Sequence, residues 1–457
     1  MASLSRRTLV GSLGAISAVA AARPRPARAA QTLSIWWNQG FYQAEDQAVK
    51  DSIAAWEKQT GNKVELLFLP VGDVTAKIVS GMTTGDVPDL IYSDTGQNLI
   101  VPQASWNDKL VDLSDVIDTQ KSNFLQTALD SSSFYNNTLK KRSHYGVPVK
   151  SATVMIEVWR PMLEEAGFHD ADIPKTWDKY FGFFETVQDK LRAKGKRVYG
   201  LGYSMATKEA DSGNLFHAFL VGLGGGGIVS LDGKLHADDP IVRAAAVKAL
   251  DDLTRPYKKG YVPQGAINWG DVDNNNAFYA KQIVMTPNAT ISIAVAQMEK
   301  QDQYFKEIIT QGIPEDNAGN PVPSLLGVPL CFIPKGAKNV DAAKDFLTFF
   351  IQPDRLNEYL KQARGRWVTV MPGALKTDPW WLDPSDPHRP VAVKQALITP
   401  TQSWFQIRNP AYADVNAKQI WAAAEANITQ KGWPPEKAAD DALEQIKTIF
   451  QKYTITT

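Results

Sequence analysis

The chain has 457 residues, enough for two or three compact units with large cores and too many for one small module. Hydrophobic residues make up 44% and charged residues 21%, so the chain has the apolar surface to fold and wholesale disorder is excluded. Lys+Arg and Asp+Glu are both 49, which lacks the basic excess that neutralising a phosphate backbone demands, and nucleic acid is not an expected partner.

Residues 1–29 read as an export signal. Ser5-Arg6-Arg7-Thr8-Leu9-Val10 opens a charged segment, a weakly apolar run reaches Ala22, and Ala27-Arg28-Ala29 supplies a small-residue cleavage pattern. The run is shorter than the ~20 strongly apolar residues of a spanning helix, so a removable signal is expected rather than an anchor. The paired arginines are similar to a twin-arginine signal, which implies a periplasmic protein; a disordered basic tail is the plainer alternative. Removing 1–29 takes away five arginines and no acid, leaving a net charge of −5.

Downstream, Leu33-Ser-Ile-Trp-Trp37 predicts a strand, and Ala44 to Gln59, with Ala48/Val49, Ile53 and Trp56 at helical spacing, predicts a helix ended by Gly61. Lys63 to Leu69 is a second strand, Asp73 a candidate cap for the next helix, and Asp89 to Ser93 a third strand. This alternation implies a parallel sheet with helices on its faces. A second unit begins near Tyr145. It carries strands at Val198–Tyr203 and Ile283–Thr286, a helix over Leu215–Leu223, a hairpin turning at Asp232-Gly233, and a helix that Asp239 caps and Pro240 opens. Leu326 to Ile333 is a further strand. Its Cys331, the sole cysteine, can form no internal disulfide and reads as an inert core thiol. Helices over Asn339–Phe350 and Pro435–Phe450 follow.

Polar loops at the carboxyl ends of parallel strands are where open α/β sheets bind ligands. Asn38 and Gln39 follow the first strand, and Asp94 and Gln97 follow the third. Amides and carboxylates can bond vicinal hydroxyls, although the same residues are ordinary turn formers. The chain also carries 13 tryptophans. Trp36/Trp37, Trp269, Trp367, Trp380/Trp381, Trp404 and Trp433 sit beside Asn, Gly or Pro rather than inside apolar stripes. Each alone reads more readily as core; together, with polar neighbours, they suit the C–H face of a sugar ring. Gly222-Leu-Gly-Gly-Gly-Gly227 follows a helix instead of a strand and is no dinucleotide loop. Asp271-Val-Asp273 lacks the glycine and glutamate that complete a calcium loop. The five histidines never reach metal-ligand spacing, and no nucleophile or phosphate-loop motif occurs. No catalytic residue, metal or cofactor is therefore expected, though a pair of carboxylates for glycoside hydrolysis stays open at this stage.

Several segments in order resemble the substrate-binding proteins of ABC importers, in the sugar-binding branch called family 1. They are Trp56-Glu-Lys-Gln-Thr-Gly-Asn-Lys-Val64, Met82-Thr-Thr-Gly-Asp-Val-Pro-Asp-Leu90, Tyr145-Gly-Val-Pro148, Ile173-Pro-Lys-Thr-Trp-Asp178 and Gly327-Val-Pro-Leu-Cys-Phe-Ile-Pro-Lys335. The resemblance implies an α/β, two-lobed periplasmic-binding-protein fold of type II, each lobe a sheet flanked by helices, with the ligand cleft between. It implies lobes of 30–150 plus 284–327 and 151–283 plus 328–457, joined by crossings near 149–156, 283–290 and 326–331. The implied partners are a small carbohydrate and an inner-membrane ABC permease with its cytoplasmic ATPase, and a monomer is expected. Carried onto this chain, the family site falls on Trp37, Asn38, Gln39, Asp94, Lys150 and Asn288 to Thr290, with Tyr203, Trp269 and Arg366 as additions; Trp36 and Gln97 join the candidate site from the strand-end and tryptophan readings above. Glu157-Val-Trp-Arg160 and Asn288-Ala-Thr290 depart from the family's usual runs at expected contacts, so a polyol, a sugar acid or a glycerol phosphate stays open, with Lys150 and Arg366 as anion partners.

Overall fold

The first strand shows how alternation becomes burial. In β1 (Thr32–Asn38), Leu33, Ile35 and Trp37 point into the core, while Trp36 turns to the opposite face beneath Lys77. The computed structural model describes residues 30–207 and 210–455, and the expected export signal over 1–29 lies outside them. After β1 come α1 (Gln43–Thr60), β2 (Lys63–Leu69), α2 (Val71–Thr84) and β3 (Leu90–Ser93). Gly61 closes α1 at φ 78°, a conformation that costs glycine no Cβ clash. Helix α2 starts at Val71 directly after Pro70, so Asp73 lies inside its first turn and is not the expected cap.

Further along lie β4 (Val147–Pro148), β5 (Met155–Trp159), α3 (Trp177–Ala193), β6 (Tyr199–Leu201), α4 (Ala210–Gly222), α5 (Pro240–Lys258), β7 (Ile283–Asn288) and β8 (Ile308–Gln311). Asp239 caps α5 by accepting from the Ile241 N–H at 2.8 Å, a contact worth about 1 kcal/mol. The expected hairpin at Asp232-Gly233 reduces to one bridge between Val229 and Leu235, with Gly233 at φ 86°. The glycine run near 222 is structural: a Cβ on Gly222 would meet the Trp177 indole at 2.4 Å. The chain then adds β9 (Ser324–Leu326), β10 (Leu330–Phe332), α6 (Val340–Phe350), α7 (Pro353–Gln362), β11 (Thr401–Ser403), α8 (Ile420–Lys431) and α9 (Pro435–Phe450).

Two sheets organise these elements. The first runs β2-β1-β3-β10-β4, and the second runs β8-β5-β7-β6. In the first, β2, β1 and β3 are parallel as expected, but β10 enters antiparallel because it arrives from the other unit. Sheet membership also departs from the expected lobe division. β7 and β8, within 284–327, belong to the second sheet, and β10 belongs to the first. Helix α6 follows β10, since Trp56 of α1 donates to Asp345 at 2.9 Å and packs edge-on against Phe346. The physical reason is that a fully buried apolar strand completes either sheet equally well by composition; only tertiary pairing decides.

Three segments pass between the sheets side by side. Ser151 and Val368 exchange both backbone hydrogen bonds at 2.8 Å, and Ala152 and Gly327 exchange theirs at 3.0 and 2.8 Å. The crossings are therefore 149–154, 327–329 and 366–370. The crossing expected at 283–290 does not exist, because β7 lies wholly in the second sheet.

Glu157 sits at the centre of β5 with no solvent exposure. The Thr310 hydroxyl lies 2.6 Å from its Oε2 and 2.7 Å from His388 Nδ1, while its Oε1 has no protein partner. One hydroxyl proton cannot serve both neighbours, so a proton on Glu157 satisfies the site. Burial accordingly pushes its carboxyl up to about 8, and burial lowers His388 to about 4, keeping that ring neutral. A carboxyl raised on folding adds stability that is complete below its unfolded value and lost as pH rises through the folded one. Glu157→Gln should therefore flatten the decline in unfolding free energy between pH 5 and 8, measured by urea titration; an unchanged slope would contradict a protonated Glu157.

Candidate functional site

The loops after β1, β3 and β7 and the three crossings enclose a cleft of about 370 Å³. From the first sheet it receives Gln39, Phe41, Asp94 and Gln97; from the second unit, Asp271, Asn275, Asn288 and Thr290; from the third crossing, Arg366 and Trp367. Trp404, one residue past β11, adds another aromatic plane. Tyr42, at the start of α1, donates to the Ser292 carbonyl at 2.5 Å, tying the two units across the cleft.

Beneath the first-sheet wall lies a buried charge network. Lys150, 3% exposed, sits 3.4 Å from Asp94 and over the rings of Tyr92 and Trp367. Arg366 Nε lies 2.8 Å from Glu45 Oε1, an ion pair not aligned as a hydrogen bond, and its Nη2 lies 3.9 Å from Asp94. Asn38 fixes this arrangement from β1: its Oδ1 accepts from the Asp94 N–H at 3.2 Å. The Tyr92 hydroxyl donates to the same carboxylate. Burial alone would raise the Asp94 carboxyl, but Lys150, Arg366 and the Tyr92 hydroxyl outweigh it and hold it below the ordinary range. Burial lowers Lys150, with Asp94 and Glu45 opposing. Burial would also lower Arg366, yet Glu45 and Asp94 more than compensate. Asp271 is exposed at the mouth yet crowded by protein; desolvation raises its carboxyl, Arg366 opposing and Asp94 adding.

Besides Arg366 Nε, four buried polar atoms in residues lining the cleft have no hydrogen-bond partner in the protein: Gln97 Oε1, Asn275 Oδ1, Trp367 Nε1 and Trp404 Nε1. An unmatched buried polar atom costs about 1–3 kcal/mol, so two acceptors and two donors here leave hydrogen-bonding capacity that a hydroxylated ligand can fill.

Six of the residues expected from sequence meet in the cleft: Gln39, Asp94, Gln97, Asn288, Thr290 and Arg366. Asn38 and Lys150 lie just behind, acting on Asp94. The other four lie elsewhere. Trp37 is 2% exposed in the core, stacked on Tyr92 with centroids 4.3 Å apart. Trp36 faces α2, and a Cβ on Gly81 would touch its ring at 3.1 Å. Trp269 packs against the hydrophobic core, and Tyr203 is buried with its hydroxyl on the Leu253 carbonyl at 2.9 Å. Sequence reasoning had counted Trp367 and Trp404 among the sugar-facing aromatics without assigning them to the site. It missed Phe41, Asp271 and Asn275; the only signal was the polar density of 271–276.

The sequence matches the profile of a family described as bacterial extracellular solute-binding protein across residues 51–390. No curated protein matches the chain in sequence. Among solved structures, the chain is similar to an ABC transporter solute-binding protein from Thermotoga lettingae bound with α-D-tagatose, at 20% identity and TM-score 0.70, covering 92% of this chain and 100% of that one. It is similar to maltose-bound MalE3 of T. maritima at 18% identity and TM-score 0.72, covering 92% and 100%. It is also similar to the GacH receptor of Streptomyces glaucescens, described with acarbose, at 18% identity and TM-score 0.69, covering 93% and 100%. These likenesses show the fold expected from the sequence, the two-lobed type II periplasmic-binding architecture.

Removing one partner from a buried charge pair costs about 3 kcal/mol or more. Asp94→Asn should lower the unfolding free energy by that order at pH 7. Because the Asp94 carboxyl is depressed, its contribution is complete above the unfolded value and lost as pH falls through the folded one. The gap between wild type and variant should therefore narrow in acid; a gap that stays constant would show that the carboxylate's charge is not what stabilises the wall.

Proposed function

The chain belongs to the bacterial extracellular solute-binding proteins, and from that premise we propose that its cleft takes a neutral carbohydrate. Closure of the lobes around the sugar presents it to an inner-membrane ABC permease driven by a cytoplasmic ATPase. The protein acts in the periplasm as a monomer, carried there by the twin-arginine signal in 1–29. The observation that carries the ligand class is the pairing of aromatic planes with unsatisfied amide and indole groups around the cleft. Trp367 and Trp404 cover ring C–H faces, while Gln97, Asn275 and Asp94 meet hydroxyls.

Charge separates a neutral sugar from the anionic alternatives. Both cations once considered for an anion are already engaged, Lys150 with Asp94 and Arg366 with Glu45. Among the described residues, the charged groups lining the cleft are Asp94, Asp211, Asp271 and Arg366, a balance that repels a carboxylate or phosphate. Closure is a hinge equilibrium about the three crossings, and the ligand shifts it only by its extra affinity for the closed form.

Thermal unfolding against mono- and disaccharides, polyols, sugar acids and glycerol phosphates tests this reading, since a native-state ligand at 100 times Kd adds about 2.7 kcal/mol. A neutral sugar should raise the melting temperature, Trp367→Ala should weaken its binding at least about tenfold, and oligosaccharides should be recovered intact. A shift produced only by anions, or cleavage of the sugars, would overturn it.

A further inference from the structure

Beside the main chamber lies a second cavity of about 90 Å³. Thr95, Asn98, Asn214 and Trp404 line both, so the two meet along a common stretch of wall. Roughly 10–15 Å³ on this measure holds one water. The second chamber therefore has the space of several waters, the scale of one sugar ring.

Its lining repeats the chemistry of the main chamber. Leu99, Val415, Ile420 and Ala422 are apolar, and Trp404, Trp421 and His217 supply rings. Between them stand amides with hydrogen-bonding capacity to spare. The side chains of Asn214 and Gln419, both half-buried, have no hydrogen-bond partner among the described residues. Asn98 Oδ1 accepts from Gln406, which leaves its NH2 group unused, and Asn416 donates to Gln406 Oε1 at 3.3 Å, which leaves its carbonyl unused. Trp404, shared with the main chamber, adds a buried Nε1 donor without a partner. Donors and acceptors are thus both present, as a hydroxyl, which acts as either, requires.

Charge narrows the occupant further. Among the described residues, no Asp, Glu, Lys or Arg lines this chamber. Its one titratable group is His217, whose Nδ1 lies 2.5 Å from the Gly213 carbonyl and whose Nε2 lies 2.9 Å from the Tyr412 hydroxyl. A carbonyl can only accept, so Nδ1 carries the proton, and burial lowers the ring to about 4, keeping it neutral. A charged unit would find no counter-ion here, and a purely apolar one would cover amides that need partners. A ring with C–H faces and hydroxyls uses both kinds of wall.

We propose that the second chamber is a subsite for a further sugar ring, so that the ligand is an uncharged oligosaccharide, reaching from the main chamber past Trp404, rather than a monosaccharide. The proposal rests on the carbohydrate reading above and adds the ligand's length to it.

Titration calorimetry along homologous series tests it: D-glucose against maltose and maltotriose, D-glucose against cellobiose and cellotriose, and D-mannose against its β-1,4-linked dimer and trimer. In a series that binds, the best oligosaccharide should bind at least about tenfold tighter than its monosaccharide. Gly213 lines the second chamber, and a Cβ there would meet nothing within 4 Å. Gly213→Leu should therefore fill the space and cut that ratio by about tenfold. Gln419→Met keeps the side-chain length, removes the amide and should cut the ratio by about threefold; melting curves check that both variants fold. A monosaccharide that binds as tightly as its oligomers would overturn the proposal and leave the carbohydrate reading standing. So would a length preference unchanged in Gly213→Leu or, should that variant not fold, unchanged in Gln419→Met. If no sugar of any series binds, the carbohydrate reading fails, and this proposal with it.

Discussion

Two buried cations dictate how this cleft is built. Lys150 stands on the first crossing and Arg366 on the third, and neither reaches enough water to be solvated as a free ion. Each needs a carboxylate, and the carboxylates come from the first sheet: Asp94 at the end of β3 and Glu45 in the first turn of α1. The ion pairs therefore fasten two of the crossings to one lobe. Asn38 and Tyr92 hold Asp94 in place from β1 and β3. What remains facing the cleft is a wall of fixed dipoles, aromatic planes and net negative charge.

The first sheet carries the charge network, and the second contributes amides and Asp271 from loops that the network does not hold. Antiparallel backbone pairs at Ser151–Val368 and Ala152–Gly327 hold the crossings side by side, which confines any bending to a few residues, as hinge closure requires. The Tyr42–Ser292 contact shows the second lobe already touching the first on the far side of the cleft. A sugar that contacts both walls favours closure by its extra affinity for the closed arrangement. Export, sugar uptake and handover to a permease follow from this picture as parts of one proposal, while membership of the solute-binding family and the two-lobed fold stand independently of it.

Much of the fold was legible in the sequence because its signals are local. The alternation in 32–38, the stripe ending at Gly61 and the Asp239-Pro240 start each depend on residues within one element. Lobe membership was not legible, since Leu330-Cys-Phe332 is buried on both faces and its composition is the same whichever sheet it completes. Trp36 and Trp37 misled for a related reason. Their position at the end of the first strand is that of a ligand loop, but period-two geometry sends one indole to the core and the other under α2. The cleft's tryptophans come instead from Trp367 and Trp404, far along the chain, brought back by the third crossing and by β11, with Phe41 beside them. Among the polar contributors, Asp94 and Gln39 were found because strand ends can be read from sequence, and Asn288 only through the family resemblance.

The most direct test of the central claim is a crystal structure of the protein with the tightest-binding neutral sugar. The expected result is a sugar ring against Trp367 or Trp404, hydroxyls on Asp94, Gln97 or Asn275, and the Lys150–Asp94 and Arg366–Glu45 pairs intact. A ligand held outside the cleft on Trp36 or Trp269, or one whose binding pulls Lys150 away from Asp94, would contradict it.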